Sequence, residues 1–127
     1  MLYRYITFKK NKNLNWYVDH IGYSSKLTYD ADITGVTTME SLSNYIIKLD
    51  KGYDITDNKG NVIYDNDLIK VDKKIFIVKR KMNRKTPTFV NIKDCKECHS
   101  ILYLNKFNWK LTGNIYNSDL FNLNSLS

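Results

Sequence analysis

The chain has 127 residues, the size of one ordinary domain, and 43% of them are hydrophobic, as in a folded protein. It carries a formal net charge of +7 at pH 7 and only two cysteines, and no apolar run approaches the ~20 residues that a membrane span needs. The first ten residues, MLYRYITFKK, mix charged residues with tyrosines and so lack the apolar core of a secretory signal peptide. These observations argue against a disulfide-rich secreted protein and against a membrane-spanning protein. We therefore expect a soluble intracellular protein.

Two strands are predicted at the amino terminus. Residues 2–8, LYRYITF, alternate well enough to form a strand, and residues 16–18, WYV, return after a polar turn at residues 9–13. We interpret this segment as an extra hairpin that precedes the main domain. The alternative is that the first hairpin of that domain is lengthened by an insertion.

A helix is predicted to begin at Thr37 and to end at Gly52. Thr37 and Glu40 form a capping box, in which the Thr37 hydroxyl accepts a hydrogen bond from the Glu40 amide and the Glu40 carboxylate reaches back to the Thr37 amide. Gly52 supplies the left-handed residue that stops the helix. A core-facing stripe at helical spacing is formed by Met39, Leu42, Ile46 and Leu49.

Strands are predicted through most of residues 53–81. Residues 53–56 and 61–64 form a hairpin, because the Asp57-Asn58-Lys59-Gly60 turn between them contains the Asn and Gly that reversing turns need. After a second turn at residues 65–67, the unbroken apolar run of residues 75–78, IFIV, is predicted to be the central strand. A hairpin, a helix and further strands give the order ββαβββ, which indicates an α+β protein of the β-grasp class.

Ordered motifs in residues 20–81 resemble a known family. The motifs are residues 23–30, YSSKLTYD, residues 34–35, TG, residues 55–56, IT, residues 64–69, YDNDLI, and residues 75–80, IFIVKR. In this order they resemble the DWNN domain, the ubiquitin-like amino-terminal domain of retinoblastoma-binding-protein-type factors of mRNA 3′-end cleavage and polyadenylation.

The resemblance implies a fold, a location and a function. The expected fold is a ubiquitin-like domain over residues 1–81, with its core in residues 20–81, followed by a basic, partly apolar extension over residues 82–127. The expected function is a protein-docking module in the nucleus whose partners are protein subunits of the mRNA 3′-end processing complex. A fragment of a ubiquitin-ligase-type factor that lacks its RING is an alternative.

Phe76 and Val78 are the candidate protein-binding residues. Side chains alternate along a strand, so if Ile75 and Ile77 pack on the helix, Phe76 and Val78 face away from it. Ubiquitin-like domains bind partners on this side of the sheet, so the resemblance implies a docking patch there. Alternatively, this face is a second core, covered by apolar residues of the extension, namely Phe89, Val90, Ile92, Ile101 and Leu104.

Cys95 and Cys98 are the weak candidates for a metal site. Together with the adjacent His99 they supply one C-x₂-C pair and an imidazole, whereas a structural zinc site needs four ligands. Zinc would require His99 and His20 as distant partners, or a dimer that shares the metal. We therefore expect two ordinary thiols at a turn and no cofactor.

No catalytic arrangement is indicated, and we expect a protein that is not an enzyme. His20 and His99 show no triad spacing, and the chain has no glycine-rich phosphate cradle. Asp65 and Asp67 flank Asn66 and are interpreted as turn formers rather than as a catalytic carboxylate pair.

Positive charge is concentrated in one block of the chain. Residues 70–110 contain 12 basic and 3 acidic side chains, whereas residues 1–69 contain 8 and 9. The alternative function is therefore a small basic RNA-binding protein, in which Tyr103, Phe107 or Trp109 stacks on bases. No membrane partner is expected. The cations predicted to form an exposed edge and to meet RNA phosphates are Lys79, Arg80, Lys81, Arg84 and Lys85.

Overall fold

The computed structural model describes residues 2–37, 44–81 and 84–126, without the side chains of residues 124 and 125. The chain divides into two compact units. Unit 1 comprises Met1–Lys51 and Asp119–Ser127, and unit 2 comprises Gly52–Ser118. Within the described residues, no helix is long and apolar enough to cross a membrane.

Unit 1 is built on a three-stranded antiparallel sheet with β1 at its centre, between β2 and β3. Consecutive residues of β1 point to opposite faces, and both faces are covered. On one face the Thr7 hydroxyl donates a hydrogen bond to the Thr34 carbonyl of α1, and on the other the Phe8 ring stacks on Phe121 with centroids 5.3 Å apart. The elements of unit 1 are β1 (Tyr3–Lys10), β2 (Trp16–Ser24), α1 (Ala31–Thr34), the first part of β3 (Tyr45–Thr56) and a 3₁₀ helix (Leu123–Leu126).

A buried ion pair joins β1 to β3. Arg4 and Asp50 lie directly opposite each other in the ladder, and Arg4 Nη2 is 2.8 Å from Asp50 Oδ2. The two side chains are only 2% and 5% exposed. Because both charges have lost most of their water, this ion pair compensates part of the cost of burying them.

Unit 2 is built on a five-stranded antiparallel sheet in the order β8-β7-β6-β5-β9, and the end of β3 pairs with β4. Its elements after β3 are β4 (Val62–Tyr64), β5 (Asp67–Val71), β6 (Lys74–Arg80), β7 (Pro87–Asn91), β8 (Cys98–His99), α2 (Ile101–Leu104), β9 (Trp109–Asn114) and a 3₁₀ helix (Ile115–Asn117). The buried core consists of Ile63, Ile69, Val71, Phe76, Val78, Phe89, Leu104 and Trp109. Residues 87–114 thus complete the sheet that β5 and β6 begin.

The prediction of a ubiquitin-like β-grasp is wrong, because the structure is predominantly antiparallel β-sheet in two units. Residues 45–51, predicted to be helical, belong to β3 and pair with β1. Gly52 lies opposite Tyr64 in a ladder instead of ending a helix. Residues 45–47, Tyr-Ile-Ile, favour strands, and pairing with a central strand outweighs the helical stripe. The first half of the predicted helix, including Met39, Glu40 and Leu42, lies outside the described residues.

The local predictions for the Asp57–Gly60 turn and for the central strand are confirmed. The amide of Gly60 donates to the Asp57 carbonyl over 3.1 Å, and Gly60 has a φ of 82°, as the predicted reversing turn requires. The predicted amino-terminal hairpin is the pair β1 and β2. The run of residues 75–78 lies in β6, which has two strands on each side.

The predicted orientation of β6 is wrong. Phe76 and Val78, expected on a face open to water, are 1% and 0% exposed and lie in the core, whereas Ile75 and Ile77 are half-buried on the other face. The alternative expectation fits in part. Phe89 and Leu104 of the extension lie in the core cluster and Ile101 packs against it, whereas Val90 pairs with Ile77 on the other face and Ile92 is 38% exposed.

We expect Phe76→Ala to lower the free energy of unfolding by about 3–5 kcal/mol, because it removes a fully buried ring. Urea denaturation followed by circular dichroism measures the change. Leu102→Ala, at a side chain 75% exposed, is the control and is expected to change stability by less than about 0.5 kcal/mol. Equal losses in the two variants would contradict the placement of Phe76.

Asp50→Asn is expected to lower the free energy of unfolding by about 3–5 kcal/mol, because it removes a negative charge that lies 2.8 Å from the buried Arg4 guanidinium. The double variant Arg4→Met with Asp50→Leu removes both charges and is expected to regain most of that loss. The same denaturation experiment compares them. A double variant no more stable than Asp50→Asn would show that the cost does not come from breaking this ion pair.

Candidate functional site

Positive charge is concentrated in unit 2. Gly52–Ser118 contains 13 Lys and Arg against 7 Asp and Glu, whereas the rest of the chain contains 7 against 6. Two of the acids in unit 2 are buried, and their carboxylates accept hydrogen bonds from nearby backbone amides: Asp57 from Asn61 over 2.9 Å and Asp67 from Tyr64 over 2.8 Å. The surface of unit 2 is therefore more basic than the simple count suggests.

The predicted basic edge lies at the surface. Lys79 and Arg80 end β6, and the connection to β7 carries the others. Lys79 Nζ donates to Asn66 Oδ1 over 3.0 Å. Within residues 44–81 and 84–126, none of these cations forms an ion pair. The exposed side chains are Lys79, Arg80, Lys81, Arg84 and Lys85. Their exposure is confirmed, and their contact with RNA stays a prediction.

Two lysines stand directly opposite each other on neighbouring strands. Lys70 of β5 pairs in register with Lys110 of β9, and both side chains are exposed. Ile75 of β6 lies opposite Lys70, so all three share the face of the sheet that is turned away from the core. Like charges at opposed positions repel, and neither lysine has an ion-pair partner in the described part of the chain. An anion bound between the two ammonium groups would relieve this repulsion.

A cleft of about 460 Å³ opens at the hairpin that joins β5 to β6. We call it the hairpin cleft. The turn of this hairpin is tight, and Asp72 adopts the positive φ, 53°, that its position requires. The volume lies in the range of small-molecule sites. The residues that line the hairpin cleft are Val71, Asp72, Lys73, Lys74, Phe76, Tyr103 and Phe107.

The chain places Tyr103 and Phe107 side by side. Leu104 is fully buried and anchors α2, and the Phe107 amide donates to the Leu104 carbonyl over 2.9 Å, so the chain keeps turning after the helix. The rings of Tyr103 and Phe107 have centroids 5.1 Å apart at 55°, and Phe107 is 40% exposed. Trp109, the third predicted stacking residue, is buried, and its Nε1 donates to Asn105 Oδ1 over 3.3 Å. Only Tyr103 and Phe107 therefore remain as candidates for stacking.

A hydrogen-bonded group fixes the Tyr103 ring. His99 stacks on it with centroids 3.6 Å apart at 12°, and His99 Nε2 donates to Glu97 Oε2 over 2.9 Å. Glu97 also accepts from Asn91 Nδ2 over 2.7 Å and from Lys74 Nζ over 3.0 Å. These hydrogen bonds, from His99 first and then from Asn91 and Lys74, lower the pKa of Glu97 from 4.5 to about 2. Glu97 thus connects β7 and β8 to the lysine that lines the hairpin cleft.

The cysteines form no metal site with the described residues. Cys95 and Cys98 are exposed free thiols. No group of three or more His, Cys, Asp and Glu side chains in residues 2–37, 44–81 and 84–126 is arranged to hold a metal ion. His99 is hydrogen-bonded to Glu97, and His20 lies in β2 of unit 1.

The sequence reasoning missed the residues that tertiary pairing brings together. Lys70 and Lys110 are 40 positions apart, and only the register of β5 with β9 makes them neighbours. Lys73 and Lys74 were part of the basic block, but no local pattern connected them to Tyr103. The spacing of Tyr103 and Phe107, four residues, was the one signal in the sequence that could have indicated an aromatic pair.

Comparison of the chain with models of known protein families, with functionally characterised proteins and with solved structures finds no match. The resemblance to the DWNN domain therefore depends on the quoted motifs alone. Any function has to be argued from the geometry of the chain itself.

Glu97 is expected to make stability depend on pH. A carboxyl group whose pKa falls from 4.5 to about 2 on folding stabilises the protein above pH 4.5, and this contribution is lost as pH falls towards 2. Glu97→Gln should therefore melt at a lower temperature than the wild type at pH 7, and the difference should narrow between pH 4.5 and 2. Melting curves across this range measure it, and a constant difference would contradict the role of the charge.

Proposed function

We propose that the chain is a non-catalytic nucleic-acid-binding protein whose unit 2 holds single-stranded RNA through its phosphates. The observation that carries the proposal is the opposed pair Lys70 and Lys110, two exposed cations without acidic partners in the described residues. A nucleic acid strand supplies regularly spaced anions, and its binding releases counterions when lysines replace them.

The basic residues are distributed over a length that suits a strand of several nucleotides. The strand β6 runs from Lys74 to Arg80, and six steps of ~3.3 Å make it about 20 Å long. Lys79 projects to the same face as Ile75 and hence as Lys70. The exposed basic edge continues beyond Arg80. A footprint of ~4–16 nucleotides, as in other single-strand binders, is compatible with this spread of charge.

The docking function implied by the resemblance has less support. Its ubiquitin-like fold is not present, and its candidate residues Phe76 and Val78 are buried in the core instead of forming an exposed patch on the sheet. RNA binding was the alternative expectation, and it needs neither that fold nor those two side chains.

We expect the wild type to bind a labelled single-stranded RNA of about 12 nucleotides and to lose affinity steeply with salt. Lys70→Glu with Lys110→Glu should weaken binding about tenfold or more and flatten the salt slope by roughly 1.4, since each phosphate contact contributes ~0.7. Fluorescence anisotropy across a salt series measures both quantities. The triple variant Arg80→Glu, Arg84→Glu, Lys85→Glu tests the basic edge in the same way.

The matched control changes the net charge by the same amount as the Lys70 and Lys110 variant, but at two lysines of unit 1. Lys12→Glu with Lys26→Glu alters two exposed lysines of unit 1. This variant should keep most of the affinity. If the control loses as much affinity as the Lys70 and Lys110 variant, binding follows only the total charge and the proposed site is wrong. If the wild type binds no RNA at low salt, the proposed function is wrong.

A further inference from the structure

We infer that the hairpin cleft receives an unstacked base of the bound strand, with Tyr103 and Phe107 as its stacking surface. This inference depends on the proposed function and adds to it the discrimination of single strands from duplexes. The rings line the cleft and lie 5.1 Å apart. Stacking on aromatic side chains is the usual way in which proteins hold bases that are not paired.

The two rings differ in their freedom. His99 covers one face of Tyr103, so this ring meets the cleft with its other face or its edge. The hydrogen bond from His99 to Glu97 holds the stacked pair in place. Phe107 is 40% exposed and has more room to adjust. A fixed ring beside an adjustable one suits a flat group of variable size, such as purines and pyrimidines.

The charges around the cleft favour an uncharged occupant. The lining contains Lys73 and Lys74 together with Asp72, and Lys74 is also paired with Glu97, so the positive charge at the cleft is largely offset. A phosphate group gains little electrostatic attraction where positive and negative charges nearly balance. The aromatic lining suits a neutral planar ring, which a base supplies and a polyphosphate chain does not.

The cleft lies at the same end of the sheet as the proposed phosphate site, but on the opposite face. Val71 of the cleft follows Lys70 on β5 and lies opposite Trp109, which precedes Lys110 on β9. One residue of strand spans only ~3.3 Å. The lysine pair and the cleft are on opposite faces but at the same end of the sheet, so a strand held by the lysines reaches the cleft by passing round the β5–β6 turn.

Phe107→Leu tests the inference, because leucine keeps an apolar side chain but cannot stack. We expect it to weaken binding of the single-stranded RNA at least about 5-fold, and Phe107→Trp to retain binding. Tyr17→Leu is the matched control, since Tyr17 is also 40% exposed but belongs to β2 of unit 1. It should bind like the wild type. Melting curves verify that each variant is folded.

Three probes separate a base-stacking role from a charge effect: the single-stranded RNA, its DNA counterpart and inorganic polyphosphate, with a duplex of the same sequence as a further comparison. Phe107→Leu should leave polyphosphate binding unchanged, and the wild type should prefer either single strand to the duplex. Unchanged binding of the single strands by Phe107→Leu, an equal loss for polyphosphate, or equal affinity for the duplex overturns the inference. If the wild type binds no single strand at all, the proposed function fails first.

Discussion

The fold of unit 2 depends on covering one face of its five-stranded sheet. The inward side chains of the central strand β6, Phe76 and Val78, are large and apolar, and leaving them in water would cost several kcal/mol. Phe89 of β7 and Trp109 of β9 extend this apolar face within the sheet, and Leu104 of α2 and Ile63 of β4 join the same core from outside the sheet. The carboxyl-terminal third is therefore part of the sheet and its core, and its position also determines where the candidate site forms.

The same requirement sorts the charges. Lysines cannot enter a core without partners, so those of β5, β6 and β9 project to the opposite face or gather at the ends of strands. Strand register then sets Lys70 against Lys110. This opposition of like charges costs stability, and an anionic ligand would relieve it. The proposed function follows from that local conflict more than from the net charge.

The aromatic cleft is connected to the core by short links. Phe76 belongs to the core and also lines the cleft, and its ring meets His99 edge-to-face with centroids 5.7 Å apart. His99 in turn stacks on Tyr103 and binds Glu97. A cleft built in this way has one wall fixed by the folded core, so the base that we propose for it would have to order little more than Phe107. Preorganisation of this kind reduces the entropy lost on binding.

The sequence by itself determined the features that depend on neighbouring residues. The Asp57–Gly60 turn, the amino-terminal hairpin and the strand character of residues 75–78 follow from turn chemistry and β-branched side chains, and the exposure of the basic edge follows from its charge. Tertiary structure decided the rest. Residues 45–51 have a helical stripe but pair with β1, and the face that β6 buries was set by residues far along the chain. Hydrophobic periodicity and intrinsic strand or helix propensity constrain the structure of a segment only weakly. Strand pairing and core burial join residues 40 or more positions apart, such as Arg4 and Asp50 or Lys70 and Lys110, which no local pattern reveals.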